Sequence, residues 1–439
     1  MKTKLIALTL AFISMLGLTG IGQFQQADAL EQDTTTFKTL SLSSTVCEDI
    51  NCAPSIAVDN GDVFAVWVEP TEDGTNSVIK MVSSTDEGNT FSTPQSIDVT
   101  MGSDVQDPII GLANNGDLLL VWTDERDGDV DVYASVSQDN GITWTWDANG
   151  DVHNISNNDG DSLNPTLDLG NDSTFVIAWS DDSATDGINP NGYRNIFVCA
   201  GRLDDLALTQ TFSVSQGSVS SSRYEAEAPA LAVNPNRPLS GMYIVWEQEG
   251  DRAQDVFFHQ TTAFNPLNIS NNDDTDSKQV DIIVRNPDLI PGPDSSQQVI
   301  TVWVERVDGE DQVMLSIAND IGLALTDPGF SDEPINLSQS NESASNPTMA
   351  INDESNFFVT WTQEDESTRN RNTIQLVSMV DVLGLPQEAS NPDLNFSASN
   401  VSVGADNNNV YLIWVEENLT DGSTNIVFSK QNLDNIRIF

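Results

Sequence analysis

AVWVE, residues 65–69, would pass for an ordinary buried strand if it stood alone. The same pattern returns as LVWTD at Trp122, IAWSD at Trp179, IVWEQ at Trp246, TVWVE at Trp303, VTWTQ at Trp361 and LIWVE at Trp414. The gaps are 55, 57, 67, 57, 58 and 53 residues, so the chain carries one unit seven times. Around each tryptophan the order is constant. A short strand comes first, often after a proline, as in PSIAV (54–58), PIIGL (108–112), PTLDL (165–169), PALAV (229–233) and PTMAI (347–351). A tight turn of Asn, Asp and Gly follows, as in DNGD (59–62) and NNGD (114–117), where these residues tolerate positive φ. The tryptophan strand is second. An acidic loop leads to a third strand such as VIKMVSS (78–84), and a fourth ends in NIS or a relative of it.

Four antiparallel strands per unit, repeated seven times, predict an all-β, seven-bladed β-propeller. One blade cannot cover both faces of its own sheet, so blades must stack into a ring, and the tryptophans are expected between them. Separate β-sandwich domains would need about 100 residues each, well above the observed period. A ring must close. FKTLSLS (37–43) reads as a fourth strand without its first three, and it is expected to pair with the last blade. The final NIRIF (435–439) competes for the same edge.

The first 29 residues stand apart. Lys2 and Lys4 precede an apolar run, and Ala27-Asp28-Ala29 ends it, which reads as a Sec-type export signal. Residues 30–439 are then a single propeller domain at the cell surface or outside it. The formal charge is −50, with 67 acidic against 17 basic residues. Such a chain repels phosphate backbones and anionic lipid, which argues against nucleic-acid and membrane-surface partners. It favours cations, and a glycan or a cell-envelope protein remains a candidate partner. With His153 and His259 as the histidines, zinc sites and His-based triads are disfavoured. Cys47 and Cys52 in CEDINC are expected to form a disulfide around a small loop, and Cys199 to be a buried thiol.

STDEGNTF (84–91) and SQDNGITW (137–144) occupy the same place in successive units, with a worn copy, ANDIGLAL, at 318–325. The pattern Ser-x-Asp-x-Gly-x-Thr-aromatic resembles the Asp-box (BNR) repeat of the sialidase superfamily. On physical grounds Asp86 and Asp139 accept turn amides, Gly88 and Gly141 supply positive φ, and Phe91 and Trp144 pin the turn to its blade. The resemblance implies that these turns lie on the third-to-fourth-strand side, away from any active site. It also implies an exo-glycosidase of sialidase type as one function, possessing three substrate-clamping arginines, a Tyr–Glu pair and an Asp. The Arg-Ile-Pro motif of that family is missing, and the chain holds eleven arginines in all. SSRYEAEAP (221–229) places Arg223, Tyr224 and Glu225 side by side as catalytic candidates, although adjacent residues of one loop do not reproduce a pair drawn from different blades.

The loops after the second and fourth strands share the other face, and they are crowded with acid. Glu69, Asp124, Asp181, Glu305 and Glu416 each stand two residues after a tryptophan, forming an expected ring of like charge and a candidate binding face. Two fourth-to-first loops are nearly the same text, NISNNDGDS (154–162) and NISNNDDTDS (268–277). Asn158, Asp159, Asp161, Asn272, Asp273 and Asp276 offer the oxygens that a hard cation such as Ca²⁺ prefers. The sequence reading therefore favours a secreted or surface binding module without catalysis. An exo-glycosidase and a structural envelope component are the alternatives.

Overall fold

In the computed structural model the chain is a ring of seven four-stranded antiparallel sheets. The structure describes residues 38–45, 52–71, 73–97, 104–146, 152–183, 193–203, 207–213, 224–250, 252–260, 266–270, 275–285, 297–320, 330, 333–365, 371–379, 383–390 and 393–433. Residues 1–29, read as an export signal, together with Cys47 and the terminal NIRIF, lie outside these residues. In blades 1 to 6 the four strands follow chain order, as in blade 4: Ala226–Val233, Met242–Glu249, Gln254–Gln260 and Leu267–Asn268. The first strands of successive blades touch one another all the way round, which makes them the inner wall of the ring.

Closure is made by the N-terminal strand. Lys38–Thr45 pairs antiparallel with Thr424–Asn432 as the outer strand of blade 7. Two ends of the chain thus share one sheet, and the ring cannot open without breaking that ladder. Ser43 adds a cross-link to blade 1, donating from Oγ to Glu69 Oε1 at 2.5 Å.

The tryptophans fill the seams between blades. Trp67, Trp122, Trp179, Trp246, Trp303, Trp361 and Trp414 are all at most 1% exposed. Each packs into the apolar surface of the preceding blade: Trp122 against Val66 and Val68, Trp246 against Val176 and Val198, Trp67 against Tyr411 and Ile413. At roughly 25 cal/mol per Å² and about 150–250 Å² per ring, each seam gains on the order of 4–6 kcal/mol from its tryptophan before entropy is counted.

A second feature repeats with the blades. Asp107, Asn164, Ala228, Gln279, Asn346 and Asn400 hold φ between 46 and 55°, each in the first strand of its blade. The strand register slips at the same places, so each is a β-bulge. A non-glycine residue in this region costs on the order of 1 kcal/mol. The bulges re-aim the upper end of the inner strand in blades 2 to 7, where the acidic loops begin. Below them the inner strands nearly collide. A Cβ on Gly111 would lie 2.8 Å from Leu169 Cδ1, and one on Gly404 would lie 2.7 Å from Val58 Cγ2.

The turns read as Asp-boxes are stabilised as their chemistry requires. Thr90 donates from N and Oγ1 to Asp86 at 2.8 and 2.7 Å, and Thr143 does the same to Asp139 at 2.8 and 2.7 Å. These donors hold the Asp86 carboxyl down at about 2. Gly88 (φ 69°) and Gly141 (φ 83°) supply the left-handed residue. Phe91 meets Phe428 edge-on at 4.8 Å, and Trp144 is buried.

Candidate functional site

The acidic residues that follow each tryptophan have a partner in the fold. Residues i and i+2 of a strand share a face, so the side chain two places on can reach the indole. Indole Nε1 donates to Glu69 at 2.8 Å, Asp124 at 3.1 Å, Asp181 at 3.0 Å and Glu305 at 3.1 Å. In blades 4 and 6 a glutamine takes the same place, with Trp246 donating to Gln248 at 3.3 Å and Trp361 to Gln363 at 3.1 Å. Glu416 is buried in the corresponding position of blade 7. Asp124 and Asp181 are fully buried, and Asp124 also pairs with Arg126, whose guanidinium lies over the Tyr133 ring. Four of the five members of the ring are thus tied to the indole of their own blade, whereas the indole N–H of Trp414 has no hydrogen-bond partner among the described residues.

Three of the six cation-ligand candidates, Asn158, Asp161 and Asp276, are likewise engaged by the chain. Asn158 donates from Nδ2 to Asp181 Oδ2 at 2.6 Å, and its Oδ1 accepts the amide of Gly160 at 2.8 Å. Asp161 accepts the amide of Val130, and Asp276 accepts that of Gln254 at 3.0 Å. Asp159 is exposed, and Asn272 and Asp273 lie outside the described residues. Among the described residues no group of three or more His, Cys, Asp or Glu is arranged to hold a metal ion. Cys52 is disulfide-bonded, with its expected partner Cys47 outside the described residues, and Cys199 is a buried free thiol pushed up to about 12 by desolvation.

Arg223 also lies outside the described residues. Tyr224 and Glu225 are half-buried at the upper end of blade 4, and there the seven-fold pattern breaks. Immediately after the tryptophan the other blades carry Val68, Thr123, Ser180, Val304, Thr362 and Val415, whereas blade 4 carries Glu247. Three residues before the bulge, other blades use a short side chain to hold the preceding blade. Asp104 accepts from Ser77, Asp161 from Val130, Asp276 from Gln254, and Ser343 and Ser397 accept the amides of Asp311 and Asn372. Blade 4 has the longer Glu225 in this place.

Register assembles the rest. Glu227 pairs with Glu247 across the first two strands, and the amide of Glu249 donates to the carbonyl of Glu225 at 3.0 Å. Glu225 and Glu227, and Glu247 and Glu249, are each two residues apart. Four glutamates therefore form a square at the channel mouth, on the acidic face. Like charges directly opposite one another on a sheet are destabilising, and the site answers in two ways. Arg194, from blade 3, donates to Glu227 at 3.0 Å and lies 3.7 Å from Asp182. The other is a stronger hold on protons. Desolvation raises Glu225, and a hydrogen bond to Glu227 raises it further. Glu247 is pushed up to about 7, chiefly by desolvation, while its Oε1 accepts the amide of Gln279 at 2.6 Å and its Oε2 the side chain of Gln254 at 2.9 Å.

Glu227, Glu247 and Arg194 were not singled out from the sequence. The signal for Glu247 was present, as the one charged residue among the seven that directly follow the repeat tryptophans. Glu227 and Arg194 needed the strand register.

No protein-family model matches the sequence, and no curated protein matches it either. Among solved structures, an α-L-arabinanase of Penicillium chrysogenum complexed with arabinobiose is similar at 16% identity and a TM-score of 0.50, over 78% of this chain and 98% of that one. A GH93 α-L-arabinofuranosidase of Fusarium graminearum aligns over 90% of this chain and 99% of its own at 12% identity and a TM-score of 0.46. An intramolecular trans-sialidase of Ruminococcus gnavus aligns over 90% and 98% at 10% identity and a TM-score of 0.41. At these identities the likeness is one of fold.

Proposed function

We propose that the protein is a secreted or cell-surface propeller that binds a glycan at the glutamate square of blade 4. The carrying observation is that the square sets Glu227, ion-paired to Arg194, beside Glu247, which is pushed up to about 7, and Glu225, which is raised by desolvation and by Glu227. Sugar hydroxyls both donate and accept, so they are matched by carboxyl groups in both states. Binding without turnover is favoured by the closeness of Glu225 and Glu227. Two carboxyls in hydrogen-bond contact leave neither the roughly 5–5.5 Å of a retaining glycosidase nor the roughly 6.5–9.5 Å of an inverting one.

A second reading has an observation of its own. Glu227 and Glu247 are direct cross-strand partners, which places their Cβ atoms about 4.5–5.5 Å apart and brings a retaining geometry within reach. One experiment separates the two. Residues 30–439 are probed on an array of neutral and acidic glycans and, in parallel, on fluorogenic exo-glycosides with calcium supplied. Glycan binding that is lost in Glu227→Ala, without turnover, is the expected result. Turnover abolished by Glu247→Gln would establish the hydrolase, and neither binding nor turnover would remove both readings.

A further inference from the structure

On the opposite face of the ring the turns of blades 4 and 5 are longer than the rest, and that of blade 5 (286–296) lies outside the described residues. The turn between the first two strands of blade 4 has eight residues (234–241), against two to five in blades 1, 2, 3, 6 and 7. This insertion is firmly built. Arg237 N donates to Asn234 O at 3.0 Å, Gly241 N to Arg237 O at 2.9 Å, and Asn236 N to Asn234 Oδ1 at 2.9 Å. It is also fastened to blade 3, where Asn171 donates from N to Pro235 O at 2.7 Å and from Nδ2 to Asn236 Oδ1 at 3.1 Å. Pro238 sits so close to Gly170 that a Cβ there would lie 2.6 Å from Pro238 Cγ.

Between the insertion and blade 3 is a hollow of about 350 Å³, at the lower end of the ~300–1,000 Å³ typical of small-molecule sites. Its walls combine two arginines, Arg202 and Arg237, with Asp172, Asn236 and the apolar Pro238 and Leu239. Arg202 is paired with Asp172 at 3.1 Å. The guanidinium of Arg237 has no ion pair among the described residues, in a chain with 67 acidic side chains to choose from. Leu239 is 47% exposed at the rim. An arginine without an ion pair among the described residues, beside a rigid hollow with an apolar wall whose one carboxylate is held by Arg202, has the composition of an anion site.

We infer that this hollow, on the face away from the glutamate square, binds a small organic carboxylate of up to monosaccharide size. Arg237 takes the carboxylate, Arg202 neutralises Asp172 on the same wall, Asn236 offers its amide to a hydroxyl, and Pro238 and Leu239 cover the C–H face. The field of the whole protein repels anions, so recognition is local. It is best measured at about 0.15 M salt, where the Debye length is about 8 Å. The inference does not depend on the glycan reading of the other face.

The test is calorimetry and saturation-transfer NMR on residues 30–439 with glucuronate, propionate and glucose, in the wild type, Arg237→Ala and Arg237→Lys. Arg237 is exposed, so both variants should fold, and circular dichroism checks that they do. The wild type is expected to bind glucuronate and not glucose. Arg237→Ala should lose at least tenfold in affinity, and Arg237→Lys should recover part of it. Propionate bound as well as glucuronate would assign the site to simple carboxylic acids, and glucuronate alone to acidic sugars. Equal affinity in wild type and Arg237→Ala, or no binding of either acid, would overturn the inference.

Discussion

Asp181 shows what a carboxylate does in this fold. It is fully buried and accepts from Trp179 Nε1 at 3.0 Å, Asn158 Nδ2 at 2.6 Å, Ser162 Oγ at 2.8 Å and Ser183 N at 2.9 Å. Truncation would strand four donors in a dry seam, and each stranded donor costs about 1–3 kcal/mol where water cannot reach it. Asp181→Ala is therefore expected to lower unfolding free energy by about 3 kcal/mol or more in urea titration, and Asp181→Asn by less. A loss below about 1 kcal/mol would mean that the indole clamp is incidental. The same residue marks a limit of sequence reading. Asp181, Glu305 and their counterparts read as a charged ring because acidic side chains usually face water, and only the strand register reveals the indole two residues back as their partner.

At the scale of elements, the closing strand is the most exposed dependency. Lys38–Thr45 covers the outer edge of Thr424–Asn432, and without it that edge offers a row of unpaired backbone groups. A chain beginning after residue 45 is expected to melt at lower temperature and to self-associate. A synthetic peptide of residues 38–45 added in trans should restore part of the lost stability by taking up the vacant edge. Unchanged melting of the truncated chain would show that the ring holds without the latch. The elements themselves were legible in the sequence because the tryptophan strand, the Asn-Gly turns and the NIS endings repeat, and repetition outweighs the ambiguity of any one copy. The bulges were not. Ala228 and Gln279 carry no glycine signal, and their left-handed φ is imposed by the inner wall rather than by local propensity. That is why the glutamate square was only partly foreseen. Glu225 was named for its neighbours in sequence, whereas its chemistry comes from Glu227, from Arg194 of blade 3 and from Glu249 across the sheet.

For the whole molecule, acidity and stability are linked through buried carboxyls. Asp168 accepts the amide of Val233 in the next blade at 2.8 Å, and Asp281 accepts that of Met349 at 2.7 Å. Both line the inner wall, and both are pushed up to about 6, chiefly by desolvation. Because the folded value lies above the unfolded one, the folded state binds the proton more tightly. The contribution to stability is complete below about pH 4 and is lost as pH rises through 6, with Glu247 extending the loss to about 7. Melting temperature is thus expected to rise as pH falls from 8 to 5, and the rise should flatten in an Asp168→Asn/Asp281→Asn variant. A variant that keeps the full slope would assign it to relief of the overall −50 charge alone.

The account turns on the glutamate square, where six blades serve the ring and one departs from the pattern. Its most direct test is an NMR titration of the glutamate side-chain carboxyls between pH 3 and 9, in the wild type and in Glu247→Gln. A carboxyl titrating at about 7 that vanishes in the variant is the expected result. If every glutamate instead titrates below about 5, in the ordinary range for an unperturbed carboxyl, the square holds no proton at neutral pH, and the glycan site proposed for blade 4 loses its chemical basis.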